Sequence, residues 1–227
     1  MSKSDQANSK RSNQRRFVNK FVDLPVKILI KHGVTPNILS FCGFFCSITV
    51  AVLLAWGGLH FPFPIAWIVP FVLFWAGAFD IFDGEVARRT ENYSKSGAFL
   101  DSNLDRLSDA MIVLGLIMGD YFNYIIGFAI LFLIIMISYI RARAENEGID
   151  MEGVGLMERA ERLIVLFFAF ILEFWIFYLS SLFYGTPFKL FFPIFIVIFT
   201  GLLILTIVQR LLFSFKSIRK IETHDKN

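Results

Sequence analysis

The sequence predicts an all-α integral membrane protein: six transmembrane helices preceded by a juxtamembrane amphipathic helix. Three observations lead there. The 227 residues are 56% hydrophobic with a mean hydropathy of +0.63 and 28 phenylalanines, more apolar surface than a soluble domain of this length buries in one core. Six apolar runs are long enough to cross roughly 30 Å of hydrocarbon as helices. The 22 lysines and arginines fit one topology, because flanking basic residues stay on the cytoplasmic side. With six spans and both termini inside, only Lys189 falls at an outer helix end. Five or seven spans would put one basic terminus outside.

The chain opens with a polar, basic stretch, Met1 to Arg15, expected to stay mobile, with no short apolar run of the kind a removable signal peptide carries. From Arg16 to His32, Phe17, Phe21, Leu24, Ile28 and Leu29 fall at helical spacing beside Lys20, Lys27 and Lys31. That pattern suits a helix lying on an anionic membrane face, with Pro25 expected to interrupt it; a solvated juxtamembrane linker is the alternative. Gly33 breaks the segment, Thr35 is placed to cap, and Pro36 suits the first helical position of the first span. The spans are expected near Ile38 to Leu59, Pro64 to Phe82, Phe99 to Met118, Tyr124 to Tyr139, Leu163 to Leu182 and Phe188 to Phe213. The organisation is therefore a cytoplasmic tail and amphipathic segment at 1–34, a six-helix domain at 35–215, and a cytoplasmic tail at 216–227. Cys42 and Cys46, four apart in an apolar run, suggest neither a disulfide framework nor a thiolate site. His32, His60 and His224 are scattered singly, so zinc and haem have no support.

The stretch DIFDGEVARRTENYSKSGAFLDSNLDRLSDA, Asp80 to Ala110, carries the chemistry. At about 100° per residue, Asp80, Asp83, Gly84 and Ala87 share one face of the second span. Gly97, Asp101 and Asp105 form one stripe on the third. Helices joined by a short turn pack side by side, so four carboxylates can converge near the membrane surface. Partly buried together they stay ionised only beside compensating positive charge, and an all-oxygen donor set suits Mg²⁺ or Mn²⁺. Such ions bind a pyrophosphate, neutralise it in the transition state and improve the leaving group. Gly84 and Gly97 leave room for a nucleotide to approach the backbone. The alternative is a polar helix end whose acids are solvated and paired with Arg88, Arg89 and Arg106. Asp109, one turn further, extends the stripe or serves as a structural partner.

The run FDGEVAR, with Asp83, Gly84, Ala87 and Arg88, then Gly97, Asp101 and Asp105, with Asp80 as the first acid, resembles the signature of the CDP-alcohol phosphotransferase family. Its eight fixed positions span about 26 residues, which makes chance agreement remote. The resemblance implies a six-helix homodimer in the plasma membrane with both termini and the site facing the cytoplasm. It implies Asp80, Asp83, Asp101 and Asp105 as metal ligands, Asp105 also as general base on the acceptor hydroxyl. A CDP-binding surface of Asn37, Asp80, Asp83, Gly84, Ala87, Arg88, Gly97 and Asp101 follows. The donor would be a CDP-activated lipid, CDP-archaeol or CDP-diacylglycerol; nucleic acid is not an expected partner.

For the acceptor, SYIRARAENEGIDMEGVGLMERAERL links the fourth and fifth spans. Ser138, Arg141 and Arg143 lie at the end of one helix, and Arg159 and Arg162 share a face at the start of the next. Arginines converging beside a metal site recognise a phosphate dianion through forked hydrogen bonds. Alternatively they are membrane anchors paired with Glu145, Glu147, Glu158 and Glu161. The strings SYIRARAE and ERAER resemble those of phosphatidylinositol phosphate and archaetidylinositol phosphate synthases, which implies inositol 1-phosphate as acceptor. Arg141 stands where the bacterial enzymes often carry lysine. Glycerol 3-phosphate is the runner-up, since it too needs a basic pocket; serine needs it less. From another class, a divalent-cation transporter places acids near the bilayer midplane at a repeat interface, whereas these lie at inner helix ends and no repeat is visible.

Overall fold

The computed structural model describes residues 22–91 and 94–224, and those residues are helical with short connections and no strand. A short helix, α1, occupies 22–31. Six long helices follow: α2 Pro36–Ala55, α3 Ile68–Arg89, α4 Lys95–Met118, α5 Tyr124–Asn146, α6 Arg159–Tyr184 and α7 Phe191–His224. Among the described residues, five of the six are long and apolar enough to cross a membrane. The sixth, α4, differs for a physical reason: Lys95, Asp101, Asp105, Arg106 and Asp109 fall within its first fifteen residues of 24. Only Ala110 to Met118 is an uninterrupted apolar run there.

The helix boundaries follow local chemistry. Thr35 takes the extended backbone of a cap but makes no side-chain cap bond, and Pro36 begins α2 where its missing N–H costs nothing. Ser94 starts α4 by accepting a hydrogen bond from the Gly97 N–H at 3.0 Å, and Asn123 starts α5 by accepting from the Ile126 N–H at 3.0 Å. Gly148 (φ 78°) and Gly185 (φ 69°) end α5 and α6 in the left-handed conformation. Several helices outrun the expected spans. α5 continues seven residues past Tyr139 and α7 eleven past Phe213, so most of 216–227 extends a helix.

The amphipathic expectation for α1 is only partly testable, because Phe17, Lys20 and Phe21 lie outside the described residues. Within 22–31, Pro25 does not interrupt the helix. Val22 and Val26 are buried beside Leu39 and Val86, whereas Leu24 and Ile28 point outward. α1 thus has two apolar sides: of the residues its periodicity marks, Leu29 packs against the buried cluster while Leu24 and Ile28 face outward. Asp23 fixes it to α3, with Lys27 at 2.6 Å and Arg89 at 2.6 Å. These two cations hold the Asp23 carboxyl below the usual carboxylate range.

α2 lies between α3 and α4, so the two helices joined by the short turn do not pack side by side as expected but each against α2, where small residues let the backbones meet. A Cβ added at Gly115 of α4 would sit 2.5 Å from the Ala51 carbonyl oxygen of α2, and one at Gly43 of α2 would sit 3.3 Å from the Ala76 oxygen of α3. This close triplet carries both acid-bearing helices. The main core lies deeper, where Leu54, Leu73, Ile112, Ile130, Phe170 and Leu203 from six helices interlock. Towards the far end of the bundle Glu173 is 2% exposed, and its Oε1 lies 2.9 Å from His60 Nε2. The His60 ring stacks on Phe177 at 4.2 Å.

Gly115→Leu is expected to push α2 from α4 and cost about 1–3 kcal/mol, lowering the melting temperature in detergent by on the order of 5 °C. Gly201→Leu, where nothing lies within 4 Å, serves as the control and should leave it unchanged. Equal melting curves for the two variants would show that the α2–α4 approach is not tight.

Candidate metal and nucleotide site

At the end of the bundle where α2, α4 and α6 begin and α3 and α5 finish, a cavity of about 770 Å³ opens. The hairpin of α3 and α4 brings its acids there. One oxygen each from Asp80, Asp101 and Asp105 lie within 4.8 Å of one another. Oxygens sharing one ion at about 2.1–2.5 Å lie no more than about 4–5 Å apart, so this donor set fits a hard divalent cation. Asp83 stands apart from that triple. It is 5% exposed and accepts a hydrogen bond from the Ser40 hydroxyl of α2 at 2.7 Å, yet it lines the same cavity as Asp101 and Asp105.

The other proposed nucleotide residues divide. Asn37, Gly84, Ala87 and Gly97 line the cavity beside the acids. At Gly97 an added Cβ would meet Ser94 Oγ at 2.9 Å and Asn37 Oδ1 at 3.3 Å, so this corner has no room for a side chain. Gly84 is open, its nearest neighbour being Arg88 Nη2 at 3.9 Å. Arg88 itself is not among the lining residues; it is largely exposed and donates to Glu85 at 2.9 Å.

The opposite wall is basic. Ser138, Arg141, Arg159 and Arg162 line it, as the linker sequence leads one to expect, and Arg210 of α7 joins them. Arg143 does not, because it sits on another side of α5, exposed and paired with Glu147 at 2.6 Å. Arg141 reaches the cavity while pairing with Glu145 at 2.8 Å. Arg162 is 3% exposed and donates to Asp109 Oδ2 at 2.6 Å. That buried pair ties α6 to α4 and forms the cavity floor, giving Asp109 the structural role its position in the stripe left open. Removing one member of such a pair costs about 3–5 kcal/mol by stranding the other charge.

Arg159 makes the contact that joins the two walls. Its Nη1 bonds Asp80 Oδ1 and lies 2.8 Å from Asp105 Oδ1. The acids are therefore not paired with Arg88, Arg89 or Arg106, the alternative that their neighbours in sequence suggested. Arg106 instead donates to Ser102 of its own helix. Asp80 is absent from the cavity lining and joins the site through Arg159 and through its reach to Asp101 and Asp105.

Two participants escaped the sequence reading. Arg210 is 2% exposed and donates to the Val154 oxygen at 2.8 Å and the Ile137 oxygen at 2.7 Å. Its signal was present: it is the single charged residue between Leu190 and Phe215, and an isolated charge in a spanning segment marks a functional position by default. Ser40, one turn after Asn37, gave no signal beyond its spacing.

Comparison with known proteins places the chain in a family. Residues 33–215 match the family model for CDP-alcohol phosphatidyltransferase. Archaetidylinositol phosphate synthase of Pyrococcus horikoshii is 37% identical over 145 residues, 63% of this chain and 72% of that one. Phosphatidylinositol phosphate synthase of Corynebacterium glutamicum is 34% identical over 158 residues, 66% and 69% of the two chains. Among solved structures, the phosphatidylinositol phosphate synthase of Mycobacterium tuberculosis with CDP-DAG bound superposes with a TM-score of 0.67 at 27% identity, over 86% of this chain and 94% of that one. The same enzyme in complex with manganese and citrate gives 0.67 at 28% identity, over 86% and 88%. An acid-lined cavity between helix ends, in a chain matched by one family model over most of its length, has one consistent reading: this chain is a membrane enzyme of the CDP-alcohol phosphatidyltransferase family.

Proposed function

We propose that the enzyme transfers a phosphatidyl or archaetidyl group from a CDP-activated lipid to inositol 1-phosphate and releases CMP. The observation that carries this reading is the two-walled cavity: carboxylates and small residues on one side, Ser138, Arg141, Arg159, Arg162 and Arg210 on the other. A diphosphate donor suits the first wall and a phosphate-bearing acceptor the second. Support for inositol phosphate as the acceptor comes from the named activities of the relatives. Support for a CDP-lipid donor comes from the CDP-DAG bound in the mycobacterial structure. The domain at 35–215 then forms six spans, with α4 crossing as a helix shielded by α2 and α5. Both termini and the cavity face the cytoplasm, where the basic residues concentrate, and the enzyme works as a homodimer in the plasma membrane.

Asp80, Asp101 and Asp105, with Asp83 beside them, would hold Mg²⁺ or Mn²⁺, which the manganese in the mycobacterial structure supports. When bound, such an ion offsets the negative charge on the donor's diphosphate and on departing CMP. Gly84 and Ala87 leave the nucleotide space against the α3 backbone, Gly97 lets Ser94 and Asn37 close in on α4, and Asn37 offers the nucleotide an amide. The basic wall takes the acceptor's phosphate and presents its hydroxyl to Asp105. Asp105 accepts the hydroxyl proton as the new O–P bond forms to the lipid-bearing phosphorus and the P–O bond to CMP breaks. No enzyme nucleophile is required.

CMP formation from CDP-lipid, inositol 1-phosphate and Mg²⁺ is the direct test, with glycerol 3-phosphate and serine as competitors. Preference for either competitor would replace the acceptor named here. Asp105→Asn should lower kcat by about 10²–10⁴, and a variant that kept its rate would remove Asp105 as base. EDTA should abolish turnover and Mg²⁺ or Mn²⁺ restore it; activity persisting in EDTA would exclude the metal role. Arg141→Gln should raise KM for inositol 1-phosphate by about tenfold, as loss of one charged hydrogen bond predicts, with little change in KM for the donor. The opposite split would move Arg141 to the nucleotide side.

A further inference from the structure

Arg159 holds two of the three carboxylates that can share a cation. Its Nη1 touches Asp80 Oδ1 and lies 2.8 Å from Asp105 Oδ1, while one oxygen each of Asp80, Asp101 and Asp105 lie within 4.8 Å of one another. A guanidinium and a divalent cation cannot both sit between the same two carboxylates without placing like charges a few ångströms apart in a site of reduced dielectric, where repulsion is severe. Arg159 is the first residue of α6 and follows a loop with glycines at positive φ, Gly153 and Gly155. Its carboxylate contacts run through Nη1 alone, and its buried Nε, like that of Arg162, has no hydrogen-bond partner. It is therefore held from one side, at a helix end where a rotamer change carries the group from the acids towards the rest of the cavity it lines.

Arg162, one turn on, is the contrast. Its pair with Asp109 runs through Nη2 and is buried on both sides, at 4% and 7% side-chain exposure, while Nη1 donates to the Met157 oxygen at 3.3 Å, so the group is held through two nitrogens. Asp109 does not belong to the group of acids able to share an ion.

We propose that Arg159 is an internal counter-ion which the divalent metal displaces, and which, once displaced, serves the acceptor's phosphate. One residue would then neutralise the acids before the metal arrives and complete the basic wall afterwards. Metal binding thereby precedes and promotes acceptor binding. The inference rests on the metal reading above but needs neither donor nor acceptor to test.

The full chain in detergent micelles is treated with phenylglyoxal in EDTA or in Mg²⁺, and modification of each arginine is quantified by peptide mass spectrometry. Arg159 should react several-fold faster in Mg²⁺, whereas Arg162 stays slow in both. In parallel, Mn²⁺ affinity is measured by electron paramagnetic resonance. Arg159→Gln should bind Mn²⁺ several-fold more tightly than the unaltered chain, and Arg143→Gln, which removes a charge from the same end without touching the acids, should not. Equal or slower modification of Arg159 in Mg²⁺ overturns the proposal, as does unchanged Mn²⁺ affinity in Arg159→Gln. A chain that passes both arms yet makes no CMP from inositol 1-phosphate retains the exchange and loses the acceptor assignment.

Discussion

Charge balance at the tip of one helical hairpin governs this molecule. Asp80 and Asp83 on α3, and Asp101 and Asp105 on α4, are all half-buried or buried. Carboxylates in that setting repel one another and lose hydration, so each needs a positive or hydrogen-bonding partner. Asp83 has the Ser40 hydroxyl, while Asp80 and Asp105 have Arg159. Helices α2 and α6 therefore approach the hairpin to deliver partners that its own sequence lacks.

The same requirement explains why the bundle is tight where it is. A carboxylate cluster works only if α3 and α4 keep a fixed separation, and both lean on α2 through positions that admit no side chain. Gly115 meets the Ala51 backbone and Gly43 comes close to that of Ala76. In lipid there is no hydrophobic drive to bring helices together, so close backbone approach and dispersion supply it. Small residues in α2 and α4 are thus part of the site's support even though they lie along the span rather than at the cavity. The Asp109–Arg162 pair adds a second tie, held through both Nη groups of Arg162, whereas the carboxylate contacts of Arg159 run through Nη1 alone.

What the sequence made legible was whatever depends on periodicity within one helix. The 100° rule placed Asp80 with Asp83 and Asp101 with Asp105, and the short turn brings both pairs to one end of the bundle, although α2 and not direct α3–α4 packing sets their separation. Apolar runs located all six long helices, although their charged ends hid how far α5 and α7 extend. What depended on side-chain direction between helices was not legible. Asp80 and Asp83 share a face, yet one turns to Arg159 and the other to Ser40. Arg141 and Arg143 are two apart in one string, and because a helix turns about 200° over that interval only Arg141 can face the cavity. That separation follows from spacing alone. His60 appeared isolated because its partner, Glu173, is 113 residues away.

The two alternatives weighed for the arginines turn out to be compatible. Arg141 pairs with Glu145 and also lines the cavity. An exposed i to i+4 pair of this kind contributes only about 0.3–0.5 kcal/mol, far less than a forked contact to a phosphate dianion in a partly desolvated cavity offers. A local glutamate can therefore hold the guanidinium in place at little energetic cost to binding, since the ligand competes successfully for it. Arg143 carries the same kind of pair with Glu147 but faces away from the cavity, so for it the pairing is the whole role. The difference between an anchor and a recognition group here lies in a rotation about the α5 axis, and not in the charge or the partner.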